Sequence, residues 1–212
     1  MKIALIGATG FIGSAILKEV LSRGHQVTAL VGHPEKLAAA PGLTPAGTDV
    51  LDRARLASQL KGHDAVISAF SGHAQGDTYG YYVQGIRSII DASKDADVQR
   101  LLVVGGAGSL EVAPGVQLLD TPEFPDMYRA TAEGAREALK LLRAEPHLNW
   151  SMLSPSALIA PGERTGKFRL GTEQLLVNDK GDSRISVEDY AVAMVDELEK
   201  PAHQRKRFTV GY

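Results

Sequence analysis

The sequence predicts an α/β fold, a doubly wound parallel sheet flanked by helices. Three observations predict it. Short apolar runs alternate with amphipathic stretches almost to the end of the chain. A glycine-rich run, Gly7-Ala8-Thr9-Gly10-Phe11-Ile12-Gly13, separates the first apolar run from the first helical pattern. The chain has 212 residues, enough for one well-buried α/β domain and few for two. Residues 1–212 are therefore expected to form a single domain.

Each element has a local reason. Residues 2–6 read as the first strand and 12–23 as the first helix, stopped by Gly24. A strand at 26–31 follows, then a short one near 44–48. Asp52 is a candidate N-cap for a helix at 52–60. Strands at 65–69 and 100–104 flank a helix at 78–93. A helix at 126–143 leads into a strand at 149–153. Ser186 followed by Asp189 resembles a capping box opening a helix at 187–199, and a strand at 207–211 comes last. Strand-helix alternation argues for a sheet covered on both faces, with ligands beyond the carboxyl ends of its strands.

Composition narrows the function classes. The chain is 44% hydrophobic and 23% charged, as in water-soluble globular proteins. Its formal net charge of -2 offers nothing to nucleic acid or anionic lipid. The basic tract His203-Gln204-Arg205-Lys206-Arg207 is short and reads as a solvated turn. No cysteine is present, which removes disulfides, thiolate catalysis and cysteine-zinc sites and fits a reducing, cytoplasmic location. The six histidines are scattered, so no metal site is expected. The first apolar run is soon broken by Gly7 and Gly10, which fits neither a signal peptide nor a membrane span.

The glycine run carries the chemistry. Strand, glycine turn and helix in this order are what a dinucleotide phosphate site requires. Gly7 can make the tight turn out of the strand. Gly10 lacks a Cβ, so a pyrophosphate can approach the backbone, and Gly13 lets the helix pack closely. The helix start then offers free N–H groups and a positive dipole end to the phosphates. Two long stretches, 105–125 and 154–172, should lie at the same sheet edge, since both follow candidate strands. Their length marks them as functional, and apolar Leu118, Leu119, Phe124 and Phe168 argue against disorder.

Six stretches carry a resemblance over nearly the whole chain. They are the glycine run, Val103–Leu110, Asn149–Pro155, Arg164–Gly171, Arg184–Ala191 and Arg207–Tyr212. The chain resembles the atypical short-chain dehydrogenase/reductase family, in its NADH-flavin reductase group, and more distantly biliverdin reductase B. The resemblance implies a Rossmann-like fold with a small C-terminal substrate-side extension. It also implies a bound nicotinamide dinucleotide. By that resemblance Gly7, Thr9, Gly10, Phe11, Ile12 and Gly13 would hold the phosphates. Pro155 and Ser156 would contact the nicotinamide carboxamide through backbone groups. Asp49 and Val50 would contact the adenine. From the residues themselves, Gly105 and Gly106 would let the backbone approach the nicotinamide, and Ala69 and Phe70, after the fourth strand, are cofactor candidates at the expected edge of the site.

The second strand bears on which dinucleotide is used. Thr28-Ala29-Leu30-Val31-Gly32-His33-Pro34-Glu35-Lys36 has no acid at 29–33, where NAD-preferring folds place one for the ribose hydroxyls. Relatives using NADP commonly have arginine at the position of Gly32. His33 and Lys36 could supply charge instead, or be solvated loop residues. NADP is the expected cofactor, with NAD open.

The superfamily's tyrosine and lysine, four residues apart, are absent. None of Tyr79, Tyr81, Tyr82, Tyr128 and Tyr190 has a lysine at that spacing. Ser109 is the first hydroxyl after the glycines that follow the fifth strand. Hydride transfer to a flavin or quinone needs little acid-base help from the protein. Ser109, Tyr128 and His73 are the candidates around the reacting centre. The expected function is an NAD(P)H-dependent reductase with a small planar electron acceptor as partner. The alternative is a catalytically silent dinucleotide sensor. No nucleic-acid or membrane partner is expected, and a homodimer stays open.

Overall fold

The computed structural model describes residues 1–212. Its first half runs Lys2–Ile6 (β1), Phe11–Ser22 (α1), Gln26–Val31 (β2), Leu43–Gly47 (β3), Arg53–Leu60 (α2), Ala65–Ser68 (β4), Thr78–Asp95 (α3) and Arg100–Val104 (β5). The second half runs Glu111–Ala113 (β6), Val116–Gln117 (β7), Asp126–Arg143 (α4), Asn149–Ser154 (β8), Leu158–Ala160 (β9), Arg169–Gly171 (β10), Arg184–Ser186 (β11), Val187–Glu199 (α5) and Lys206–Gly211 (β12). The main sheet has the order β10-β12-β8-β5-β4-β1-β2-β3. All its pairings are parallel except that of β10 with β12. This is a Rossmann-like fold, and its order reverses between β1 and β4.

The two faces of the sheet have separate cores. Ala4, Ile6, Val66, Leu101, Val103, Trp150 and Met152 point one way, against α2, α3 and α4. Ile3, Leu5, Ile67, Leu102, Leu153 and Phe208 point the other way, against α1 and α5. Both faces are apolar because the strand period is two and both sides are covered. Each buried Leu or Ile contributes roughly 1.5–3 kcal/mol. In α4 the buried positions Ala132, Gly134, Ala135, Ala138, Leu139 and Leu142 follow the helical period. Small residues there let α4 approach α3: a Cβ at Gly134 would lie 2.8 Å from the Tyr82 ring.

The helix starts differ in whether a side chain caps them. Asp52 caps α2 by accepting from Arg55 N at 3.1 Å, and Asp77 caps α3 by accepting from Gly80 N at 2.8 Å. Ser186 caps α5 by accepting from Asp189 N at 3.0 Å. Helices α1 and α4 have no side-chain cap. The capping box is only half made, because the Asp189 carboxylate does not return to the Ser186 backbone. It accepts instead from Thr165 Oγ1 at 2.5 Å, Gly166 N at 2.8 Å and Tyr212 Oη at 2.7 Å. One buried carboxylate thus ties the 161–168 segment and the last residue to the start of α5.

Other departures from the sequence reading have similar causes. The two long stretches contain short strands, β6 and β7 in the first, β9 and β10 in the second. They are too brief for a periodic signal and are fixed by tertiary pairing, as between β9 and β11. The basic tract is not wholly solvated. Gln204, Arg205 and Lys206 are exposed, but Arg207 is buried, and the His203 ring stacks on Phe208 at 4.2 Å. Helix α3 runs two residues beyond its expected end.

Asp189 gives this region a pH dependence. Burial alone would raise its pKa, but the bonds from Thr165, Gly166 and Tyr212 outweigh it and hold the carboxyl below its usual value. A depressed folded-state pKa contributes stability above the unfolded value of about 3.9, lost as pH falls through the folded one. Asp189→Asn should therefore cost about 1–3 kcal/mol at neutral pH, since charge-assisted bonds are replaced and one amide hydrogen faces a donor. Thermal unfolding across pH should show the gap to wild type closing below about pH 4. A gap that stays constant into acid would refute the assignment.

Candidate functional site

Because β8, β5, β4, β1, β2 and β3 are parallel neighbours, the residues following them form one row at the carboxyl edge. The row reads Pro155 and Ser156, Gly105 and Gly106, Ala69 and Phe70, the Gly7–Gly13 turn, Gly32 and His33, then Asp49 and Val50. Five inter-strand steps of about 4.8 Å make it about 24 Å long. The fold therefore gathers positions scattered over 150 residues of chain into one line.

The glycine turn lies at the middle of that line, where the strand order reverses. Gly7 has φ +80°, and a Cβ there would lie 2.6 Å from the Ala69 carbonyl oxygen. Its N–H donates to Leu30 O at 3.0 Å. A Cβ at Gly13 would collide with the Gly7 carbonyl oxygen, so Gly13 permits the turn itself and not only the packing of helix on sheet. Gly10 is different. A Cβ there would meet nothing nearer than 3.4 Å, and the residue is exposed. Its glycine is therefore not demanded by internal packing. Behind it, the first N–H groups of α1 have no side-chain cap. An open approach to an uncapped helix start fits a dinucleotide phosphate group.

At the adenine end the positions are mixed. Gly32 has open space around an added Cβ. His33 is exposed and its Nδ1 lies 3.1 Å from Glu35 Oε1, so a carboxylate already engages its ring. Lys36 is exposed. Asp49 accepts from Leu51 N at 2.9 Å and so also serves as a turn residue. Val50 departs from expectation. Its side chain is buried beside α2 and α3, and its carbonyl accepts from Ser88 Oγ, so it does not present a surface to adenine.

Three further positions are redirected at the other end. The Phe70 ring stacks on Tyr82 at 6.0 Å and meets Tyr81 edge-on at 5.2 Å, so it is committed to α3. The glycines after β5 are packing residues as well: Cβ atoms at Gly106 and Gly108 would come within 3.0 and 2.9 Å of Ala135 and Ala132 on α4. Ser109 does not join the site. It is 4% exposed, and its Oγ accepts from Arg207 Nη1 at 3.1 Å. No local sequence signal reveals this, because Arg207 closes a basic tract and its burial is set by the packing of β12. Ser156 Oγ donates inward to Val210 O at 2.8 Å, which leaves only backbone for a ligand.

His73 and Tyr128 stay at the rim. His73 Nε2 lies 3.3 Å from Thr131 Oγ1, a link between the β4–α3 connection and α4. Tyr128 is 55% exposed in the first turn of α4. It has company. Phe11, Leu51, Tyr79 and Met127 are also exposed, and all lie at or just before the starts of α1, α2, α3 and α4, beside the carboxyl edge. Tyr190 supplies no proton donor. It is fully buried, its hydroxyl donates to Leu153 O at 2.7 Å, and burial pushes its pKa well above normal.

A glycine turn at the reversal of a parallel sheet, facing an uncapped helix start, defines a dinucleotide-binding protein. The chain belongs to the NAD(P)H-binding family, whose model matches residues 7–201. It is 46% identical to the uncharacterized protein YwnB of Bacillus subtilis, over 99% of this chain and 98% of that one. A solved structure called a "putative NADH-flavin reductase", from Streptococcus pneumoniae, is 38% identical with a TM-score of 0.88, covering 100% of this chain and 99% of that one. Another, called a "putative epimerase", from Bacteroides thetaiotaomicron, is 46% identical with a TM-score of 0.94, covering 100% and 96%. The chain spans about half, 52%, of a Mycolicibacterium neoaurum 3-beta-hydroxysteroid dehydrogenase that it matches at 25% identity. No helix is long and apolar enough to cross a membrane.

If the phosphates lie against Gly10, Gly10→Val should abolish or strongly weaken NAD(P)H binding while the fold is kept, because a Cβ there meets no atom of the protein nearer than 3.4 Å. Calorimetric titration beside circular dichroism checks this. A folded variant with unchanged affinity would refute the phosphate-site reading.

Proposed function

We propose that the protein is an NAD(P)H-dependent oxidoreductase that passes hydride to a planar acceptor such as a flavin or quinone. The observation that carries the reading is the exposure of Tyr79, Met127 and Tyr128 in the first turns of the neighbouring helices α3 and α4, which follow β4 and β5 at the carboxyl edge. Exposed aromatic and thioether groups at a ligand edge suit a flat, apolar ring face. Bound nicotinamide dinucleotide would supply the hydride. The uncapped start of α1 would hold its pyrophosphate, and the backbone at Gly105 and Pro155 would border its reactive ring. Tyr128 would orient the acceptor and His73, tied to Thr131, would be the nearest titratable group. With no tyrosine-lysine pair, the protein's contribution would be positioning and exclusion of water. The 38% identity to the Streptococcus pneumoniae protein supports a flavin as the first acceptor to test. The chain has no cysteine, which fits a reducing compartment such as the cytoplasm.

A second reading has one specific observation in its favour. Ser109 is withdrawn into the Arg207 network and Tyr190 into the core, so neither hydroxyl faces the row of strand ends. A dinucleotide sensor without turnover would need none. Following NADH and NADPH oxidation with flavin and quinone panels separates the two. Tight cofactor binding without acceptor-dependent oxidation would sink the reductase reading and leave the sensor. If the reductase reading holds, Tyr128→Ala should raise the acceptor KM roughly tenfold, the worth of one stacked ring, with little change in cofactor affinity.

We propose NADP as the preferred cofactor, with His33 and Lys36 near the ribose. Gly32→Arg should raise the NADPH-to-NADH affinity ratio roughly tenfold or more, through a charge-assisted bond worth on the order of 1.5–3 kcal/mol. The open space at Gly32 accommodates the side chain. An unchanged ratio would show that position 32 does not face the ribose.

A further inference from the structure

Arg207 is a buried cation that none of the preceding chemistry uses. It lies on β12 level with Met152 of β8, on the face of the sheet that bears α4. Its side chain is 1% exposed. One nitrogen, Nη1, donates to Ser109 Oγ at 3.1 Å and reaches Ser154 Oγ at 3.4 Å. The other, Nη2, donates to Ser109 O at 3.3 Å and to the Glu173 carboxylate. Its Nε has no partner. Burial alone would raise the Glu173 pKa, but Arg207 and Arg143 outweigh it and hold the carboxyl below its usual value.

These acceptors are not a random set. Ser109 ends the glycine segment that begins at Gly105, and Ser154 directly precedes Pro155. The two segments already touch, since Gly105 N donates to Leu153 O at 2.8 Å. One planar fork therefore spans both segments that border the nicotinamide end of the row. Stability is a poor explanation for it. A buried guanidinium with one unpaired N–H is costly, and an apolar side chain of similar volume is often as stable or more so.

We infer that Arg207 is a positioning residue, which sets the spacing between the Gly105–Gly106 and Pro155–Ser156 segments and so the seating of the nicotinamide ring. The inference rests on the dinucleotide reading above. Arg207 touches neither cofactor nor acceptor and acts through Ser109 and Ser154. Its fork geometry matters, because a single ammonium cannot hold the two segments at a fixed separation. Glu173 is the counter-charge, and it is itself fixed by Arg143 at 3.0 Å and by backbone pairing of its carbonyl with Glu111 N at 2.8 Å.

The test compares two probes by calorimetry on the full chain. NADPH carries the nicotinamide, and ADP-ribose carries adenine, riboses and pyrophosphate without it. Arg207→Met should fold with wild-type or higher thermal stability, because Glu173 keeps Arg143 and partial exposure. It should bind ADP-ribose like wild type and NADPH roughly tenfold more weakly. Arg207→Lys, which keeps the charge without the fork, should show the same selective loss, and it carries the test alone if Arg207→Met does not fold. Equal losses for both probes, or none, overturn the inference. Wild type binding neither probe overturns the dinucleotide reading and this inference with it.

Discussion

The turn between β1 and α1 is the constraint on which the rest depends. No Cβ fits at Gly13, because the Gly7 carbonyl oxygen occupies its place, and none fits at Gly7, because Ala69 lies across it. Those two absences let the first helix start directly above the strand, in contact with the residue that follows β4. Once that junction is set, α1 must cover one face and β2 must pair with β1 on the far side from β4. The reversal of strand order then falls at the turn, and the ligand row forms around it. Of the three glycines of the motif only Gly10 has room for a Cβ, so the structure separates two glycines needed for the fold from one that is exposed and not required by packing.

A second organising theme is the buried charge around β12. Arg207 supports the loops after β5 and β10, and Asp189 holds the 161–168 segment and Tyr212. That segment is pinned again where Arg164 forks onto Glu19 of α1 at 2.7 Å. These polar posts do what a further pair of helices does in larger α/β proteins, fixing irregular chain over the end of a sheet. Each bonds backbone and side-chain partners from distant parts of the sequence, which makes the loops specific in shape without regular structure.

The same arrangement explains why the expected site residues divide as they do. Residues whose expected role depends on backbone position, such as Gly105 and Pro155, fall in the carboxyl-edge row because strand ends place them there. Residues chosen for their side chains fare differently. Ser109, Phe70 and Val50 each found a nearer partner, in Arg207, Tyr82 and the α2–α3 core respectively. Tyr128 and His73 stay exposed at the rim, in the first turn of α4 and the 72–74 turn.

By itself the sequence determined the order of the five helices and of the seven longer strands, the caps at Asp52 and Ser186, and the glycine turn at the carboxyl edge of the sheet. These are local signals, written in periodicity and in residues with special backbone or capping chemistry, and they need no knowledge of distant chain. Only the tertiary structure decided which way Ser109 and Phe70 point, that Asp189 leaves its capping box half made, and that Arg207 is buried inside an apparently solvated tract. Each of those outcomes is a competition between partners far apart in sequence. A side chain goes to the nearest group that satisfies it, and that distance exists only after the chain has folded.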